Sequence, residues 1–227
     1  MSLSRERKLY LELLRAIAIF LVVLNHNKAY PYYLQVPQLP ARLLFSGLSA
    51  LVKTAVPLFF MISGALLLPK EERLGELLKK RVLRYALVLA LFSLFAYLVD
   101  LRRSGQNYSL YYFVTRLYAY RFVDSYWFLY GYLAYLLALP LLRRMARGMG
   151  DRDFLYLFVL ALVVQGMDLV TTFLFREELY AESSFSIAVL NYTVFYPLLG
   201  YYLEHRPPPA GWKKKACCFP SGLLFWR

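Results

Sequence analysis

Arg15 and His26, a guanidinium and an imidazole inside one apolar run, are the residues of this chain best placed to do chemistry. Eleven steps of α-helix bring the later residue to within ~20° of the azimuth of the earlier one, ~16 Å further along the axis. One helix face then carries a fixed cation low and a titratable group high. Ionisable groups in an apolar run are costly and are usually kept for a function. Near neutral pH an imidazole takes a proton from a hydroxyl and returns it to a leaving group, as acyl transfer requires. A histidine hydrogen-bonded at a membrane interface to Asn25, Asn27 or water fits the same residue type equally well. Arg81 and Arg84, three residues apart at the start of another apolar run, share a helix face. Their planar forks suit phosphate, and their charge also suits the inner boundary of a membrane.

The elements that position these residues are membrane helices. The 227 residues are 60% hydrophobic and 18% aromatic, with a mean hydropathy of +0.45, far above an ordinary soluble domain. Six runs approach the ~20 apolar residues that cross a bilayer: residues 9–25, 43–68, 82–99, 125–142, 154–175 and 185–203. Lipid offers the backbone no partner, so each is expected to be helical. The expected fold class is all-α, a polytopic transmembrane helix bundle of about six spanning helices. The formal net charge of +13 does not point to nucleic acid, because the basic residues sit in short connections and not on one soluble face. With the N-terminus in the cytoplasm, sixteen of them fall inside and seven outside. The positive-inside rule therefore predicts a multi-pass cell-membrane protein with both termini cytoplasmic. The first run holds Glu12 and Arg15 and lacks a small-residue cleavage site, so it is expected to stay as a helix. Cys217 and Cys218 are adjacent and imply no disulfide framework.

Residues 101–124 are too polar to span and hold Tyr108, Tyr111, Tyr112, Tyr118 and Tyr120, which predicts a short interfacial helix on the outer side that roofs a cavity. Residues 69–80 mix both signs of charge and read as a helical hairpin connection in water. Within the second run Pro57 frees a backbone carbonyl, and Ser63 and Gly64 let another chain or a ligand come close. Lys53 and Asp168, with Gln165 one turn before the latter, suit either a structural ion pair or a role in substrate binding. After Glu204 the composition changes to consecutive prolines, lysines and cysteines. Residues 1–204 thus read as the membrane domain and residues 205–227 as an irregular cytoplasmic tail, disordered or frameshifted.

Five segments, Glu12-Leu-Leu-Arg15-Ala-Ile-Ala, Leu21-Val-Val-Leu-Asn-His26, Pro57-Leu-Phe-Phe-Met-Ile-Ser-Gly64, Arg81-Val-Leu-Arg84 and Tyr126-Trp-Phe-Leu129, resemble in order and spacing the integral membrane acyltransferase-3 family. The resemblance covers residues 5 to about 204. It implies transfer of an acyl group, commonly acetyl, from acyl-CoA to a hydroxyl, often on a cell-envelope sugar. It further implies that His26 is the catalytic base and that Arg15, Arg81 and Arg84 serve the donor. The donor's arm would run past Phe60, Ser63 and Gly64, with Glu12, Lys53, Asp168 and Trp127 in support. The implied partners are the lipid bilayer, acyl-CoA and a glycan acceptor, with no tightly bound cofactor, no metal and no nucleic acid. Members usually have several more membrane helices, so the resemblance describes a C-terminally truncated member. Two other readings stay open at this point: a transporter or flippase of an anionic or lipid-linked glycan using Arg15, Lys53 and Asp168, and an inactive relic.

The charge distribution predicts that Gly105→Cys is labelled by a membrane-impermeant maleimide from outside the cell, whereas Gly75→Cys and Arg147→Cys are not. Labelling of the latter two but not the first would reverse the topology.

Overall fold

The computed structural model describes residues 9–27, 37–104, 109–119, 122–175 and 187–206. Helix is the only regular structure among the described residues, and all six apolar runs contribute to it. The first run is α1 (Leu9–His26), and the second is split into α2 (Leu39–Lys53) and α3 (Ala55–Leu67). A short α4 (Leu74–Leu77) passes through a π turn, Leu78–Val82, into α5 (Leu83–Ser104). Then come α6 (Leu110–Ala119), α7 (Trp127–Gly148), α8 (Asp151–Phe175) and α9 (Tyr192–His205). Among the described residues three continuous or near-continuous segments, Leu9–His26, Leu39–Leu67 and Leu74–Ser104, are long and apolar enough to cross a membrane unaided. The fourth run holds many tyrosines and ends α7 in arginines, which dilutes its hydropathy. The last helix, α9, has 14 residues, ~21 Å of length, and depends on its neighbours for burial.

One proline explains the split in the second run. Pro57 has no N–H, so the carbonyl of Lys53 loses the helical partner it would otherwise have four residues on. At Thr54 the chain turns, with its N–H on the carbonyl of Leu51 at 3.1 Å and its Oγ1 donating to the same oxygen at 2.6 Å. The helix resumes at Ala55, and Lys53 is left at the break. At the break α1 packs on α2 and α3 through Leu21, Val52 and Ala55.

The closest crossing joins α3 to α9. A Cβ on Gly64 would lie 2.0 Å from the carbonyl oxygen of Pro197, and one on Gly200 would lie 2.0 Å from that of Met61. The two glycines let the backbones touch, as small residues do between membrane helices. Around this contact Phe60, Tyr135, Leu136, Leu139, Phe154 and Leu198 are fully buried. The tyrosine-rich segment supplies α6, whose Phe113 meets Tyr97 at 5.3 Å and stacks on Phe122 at 5.5 Å. Tyr130 of α7 donates to the carbonyl of Leu117 at 2.7 Å, which ties α6 to the start of α7.

At the far end of α9 the bundle runs two residues beyond Glu204. The imidazole Nε2 of His205 donates to the carbonyl of Ala65 at 2.9 Å. Arg206 donates to the carbonyl of Met149 at 2.7 Å and pairs with Asp151 at 3.3 Å. Both residues satisfy carbonyl groups near helix ends that have no partner in their own helix. The tail beyond Arg206 lies outside the described residues.

Gly64→Ala and Gly200→Ala force a methyl group into backbone, so each is expected to cost ~1–3 kcal/mol or more of stability. Gly47 has nothing within 4 Å of an added Cβ, and Gly47→Ala is expected to be neutral or stabilising through helix propensity. Thermal unfolding of the three purified variants in detergent checks the contrast. Equal midpoints in all three would remove the crossing from its central place.

Candidate active site

Four helix ends that face one another line a half-open cavity of about 530 Å³, within the range of small-molecule sites. The last two turns of α1 supply Asn25 and His26, and the break between α2 and α3 supplies Lys53 and Phe59. The start of α7 supplies Trp127 and Phe128, and the start of α9 supplies Tyr192 and Tyr196. The buried residues Leu11, Ala18 and Leu21 turn one side of α1 toward its neighbours. That leaves His26 on a flank of the helix, exposed to the cavity.

The aromatic wall is fixed by local chemistry. Asn191 caps α9 by accepting from the N–H of Thr193 at 3.0 Å, which starts the helix at Tyr192. The ring of Tyr192 stands edge-on to Trp127 at 5.7 Å. Gly131, one turn into α7, leaves the space, since a Cβ there would sit 2.5 Å from the Tyr192 hydroxyl. Tyr192 and Tyr196 were not singled out from the sequence. Their spacing of four residues at the head of an apolar helix was the available signal.

Phe60 and Ser63 lie behind this wall. Phe60 is fully buried and meets Phe128, Tyr132, Tyr135 and Tyr192 at 5.7, 6.0, 5.9 and 5.4 Å. Ser63 lies 3.3 Å from the hydroxyl of Tyr132. Gly64 is covered by Pro197 of α9. The passage expected along these three residues is therefore filled by rings and by another helix, because the glycine admits a backbone and leaves no groove. Asp168 is in α8, but its side chain and that of Gln165 lie outside the described residues, as does the pairing of Lys53 with Asp168.

The basic residues gather at the opposite end of the bundle. Arg15 is paired with Glu12 at 2.9 Å, one turn earlier on α1, and both are partly exposed. Arg81 grips Glu72 with two bonds, Nε to Oε2 at 3.1 Å and Nη2 to Oε1 at 2.5 Å. The carboxylate also accepts from Nη2 of Arg143 at 3.0 Å. The Nε of Arg143 donates to the carbonyl of Leu67 at the end of α3, at 3.0 Å. The Arg143 side chain is only 8% exposed. Arg81 lies in the π turn and points inward, whereas Arg84 beyond it is exposed. The shared face expected of an uninterrupted helix is thus divided between two environments. Sequence reasoning read Arg143 only as a topological charge, because nothing local marks it as buried. From Val56 at the cavity to Leu67 at this cluster is eleven residues of α3, ~16 Å. Among the described residues no group of three or more His, Cys, Asp or Glu side chains comes together.

Compared with models of protein families, the chain matches that of the acyltransferase-3 type, described as an acyltransferase domain, over residues 8–226. No curated protein and no solved structure matches it.

The Arg81 bonds hold the Glu72 carboxyl down at about 2, against an ordinary 4.5, with burial opposing and Arg143 assisting. A carboxylate depressed on folding stabilises the fold fully above its ordinary value, and this contribution is lost as pH falls toward the folded value. The unfolding midpoint is expected to drop between about pH 4.5 and about pH 2, and Glu72→Gln is expected to lack that part of the drop. Parallel pH profiles for the two proteins would deny Glu72 this role.

Proposed function

The chain belongs to the acyltransferase-3 family, and from that membership and the cavity around His26 we propose that it transfers an acyl group, acetyl in the first instance, from acyl-CoA to a hydroxyl of a cell-envelope glycan. The observation that carries the reading is the position of His26, one of two histidines in the chain, on the wall of a cavity large enough for a sugar unit. Its imidazole takes the proton from the acceptor hydroxyl as that oxygen attacks the thioester carbonyl carbon. The tetrahedral intermediate collapses with cleavage of the C–S bond, and the departing thiolate takes the proton back. Lys53 in the same cavity supplies positive charge for the oxyanion.

The walls suit an acceptor with apolar faces and hydroxyl edges. Trp127, Tyr192 and Tyr196 offer rings with one polar end each, and Asn25 and Ser125 add polar groups. The donor's anionic nucleotide belongs with the cationic cluster around Arg81 at the other end of the bundle, where guanidinium forks match phosphate. A long thin arm connects the two ends, ~16 Å apart along α3, only when the ring layer around Phe60 parts to admit it. In this reading both termini and the arginine cluster face the cytoplasm, where acyl-CoA is made, and the acceptor enters from the opposite side.

The test is transfer of label from radiolabelled acetyl-CoA to envelope glycan in membranes containing the protein. His26→Ala and His26→Gln are expected to lower transfer by ~10²- to 10⁴-fold with unchanged amounts of folded protein. Near-normal transfer in both variants would end the assignment of His26 as base.

A further inference from the structure

The arginine cluster that the donor reading needs is already occupied from within. Two guanidinium groups from different helices converge on one carboxylate, that of Glu72. Arg143 is held there by its bond to Leu67 O, which leaves its Nη end aimed at the carboxylate and fixes its direction before any ligand arrives. Glu72 itself stands in the non-helical stretch between α3 and α4, so it can leave without breaking a helix. Tyr135, on the same helix as Arg143 and an electrostatic neighbour of both arginines, buries its hydroxyl with no hydrogen-bond partner. Two guanidinium groups on a single carboxylate carry one more charge than the anion they hold, which suits a larger and more highly charged one.

From this arrangement we propose that Arg143 joins Arg81 in binding a phosphate of the donor nucleotide, and that Glu72 is the internal anion this phosphate displaces. The proposal rests on the acyl-CoA reading and adds to it a residue and a latch. A carboxylate and a phosphate make the same charge-assisted bonds to a guanidinium fork, so the exchange replaces one set of partners by another. Without donor, Glu72 keeps two inward cations from standing unpaired, which would be costly at this depth. Leu68 stays anchored in the core, and with donor the released stretch 70–73 becomes free to move.

Adenosine 3′,5′-bisphosphate, which carries nucleotide phosphates and no acyl arm, is the probe, titrated into the purified full chain in phospholipid-free detergent. Glu72→Gln is expected to tighten its binding by about 3- to 10-fold, because the competing anion is gone. Arg143→Lys, which keeps the charge but loses the fork, is expected to weaken it by about 10-fold or more and to raise the acyl-CoA KM without changing the acceptor KM. In the unmodified protein, amides of residues 70–73 are expected to exchange hydrogen faster when the probe is saturating, the reverse of ordinary protection by a ligand. This measurement decides the latch even where Glu72→Gln does not fold. Slower or unaltered exchange, or probe binding that Arg143→Lys leaves intact, overturns the proposal and spares the donor reading. Faster exchange induced by phosphatidylglycerol nanodiscs and not by the probe overturns it in favour of a lipid phosphate. Failure of acyl-CoA and probe alike to bind any of the proteins overturns both.

Discussion

The rest of the fold depends on the contact between the backbones of α3 and α9 at Gly64 and Gly200. Membrane helices gain little from burying one apolar surface against another, since lipid is equally apolar, and they gain most where small residues allow close dispersion contact. A separation set by carbonyl oxygens 2.0 Å from where a Cβ would sit leaves no slack in how the two helices cross. With the crossing fixed, the head of α9 must come over the break between α2 and α3, and its foot must end beside the foot of α3. The cavity and the arginine cluster are the two ends of that one arrangement.

The polar groups follow the same division. At one end a proline breaks a helix, and the break leaves Lys53 facing a space that none of the described helices fills. At the other end the last turns of α3 present carbonyls without helical partners, and Arg143 and His205 satisfy two of them. A cation at a helix C-terminus is favoured by the helix dipole as well as by hydrogen bonding. Arg143 thereby serves packing at its Nε and electrostatics at its Nη, and the two uses constrain each other. The ion pairs at the rim, Glu71 with Arg147 and Glu76 with Lys80, are exposed and contribute little by comparison.

Between the ends lies a layer of rings centred on Phe60, with Tyr132 packed at 4.5 Å on Tyr85. These aromatic side chains are large and nearly rigid, and they separate the His26 cavity from the arginines. Transfer between a cytoplasmic donor and an acceptor on the opposite face, as proposed, requires such a separation, because an open passage would let ions through. It also requires the layer to part for a slender group.

Much of this was legible in the residues themselves. Apolar runs of membrane length could only be helices, because a lipid environment leaves the backbone no other way to satisfy its hydrogen bonds. The eleven-residue spacing of Arg15 and His26 placed an imidazole at the far end of α1 on grounds of helical period alone. Pro57 announced a freed carbonyl, and the family motifs supplied the activity class. What the linear order did not contain was partnership. It offered Ser63 and Gly64 to another chain or a ligand, and α9 took the place at Gly64 while Tyr132 met Ser63. It set Arg81 and Arg84 side by side, and a π turn and Glu72 drew one inward and left the other exposed. It counted Arg143 as one more positive charge at a boundary, and the crossing of α3, α7 and α9 buried it as the hinge of a cluster. Helical periodicity and lipid burial act within a single segment and can be read from it. Which side chain meets which carbonyl or carboxylate depends on contacts between segments far apart in the chain, and only the packed structure decides those.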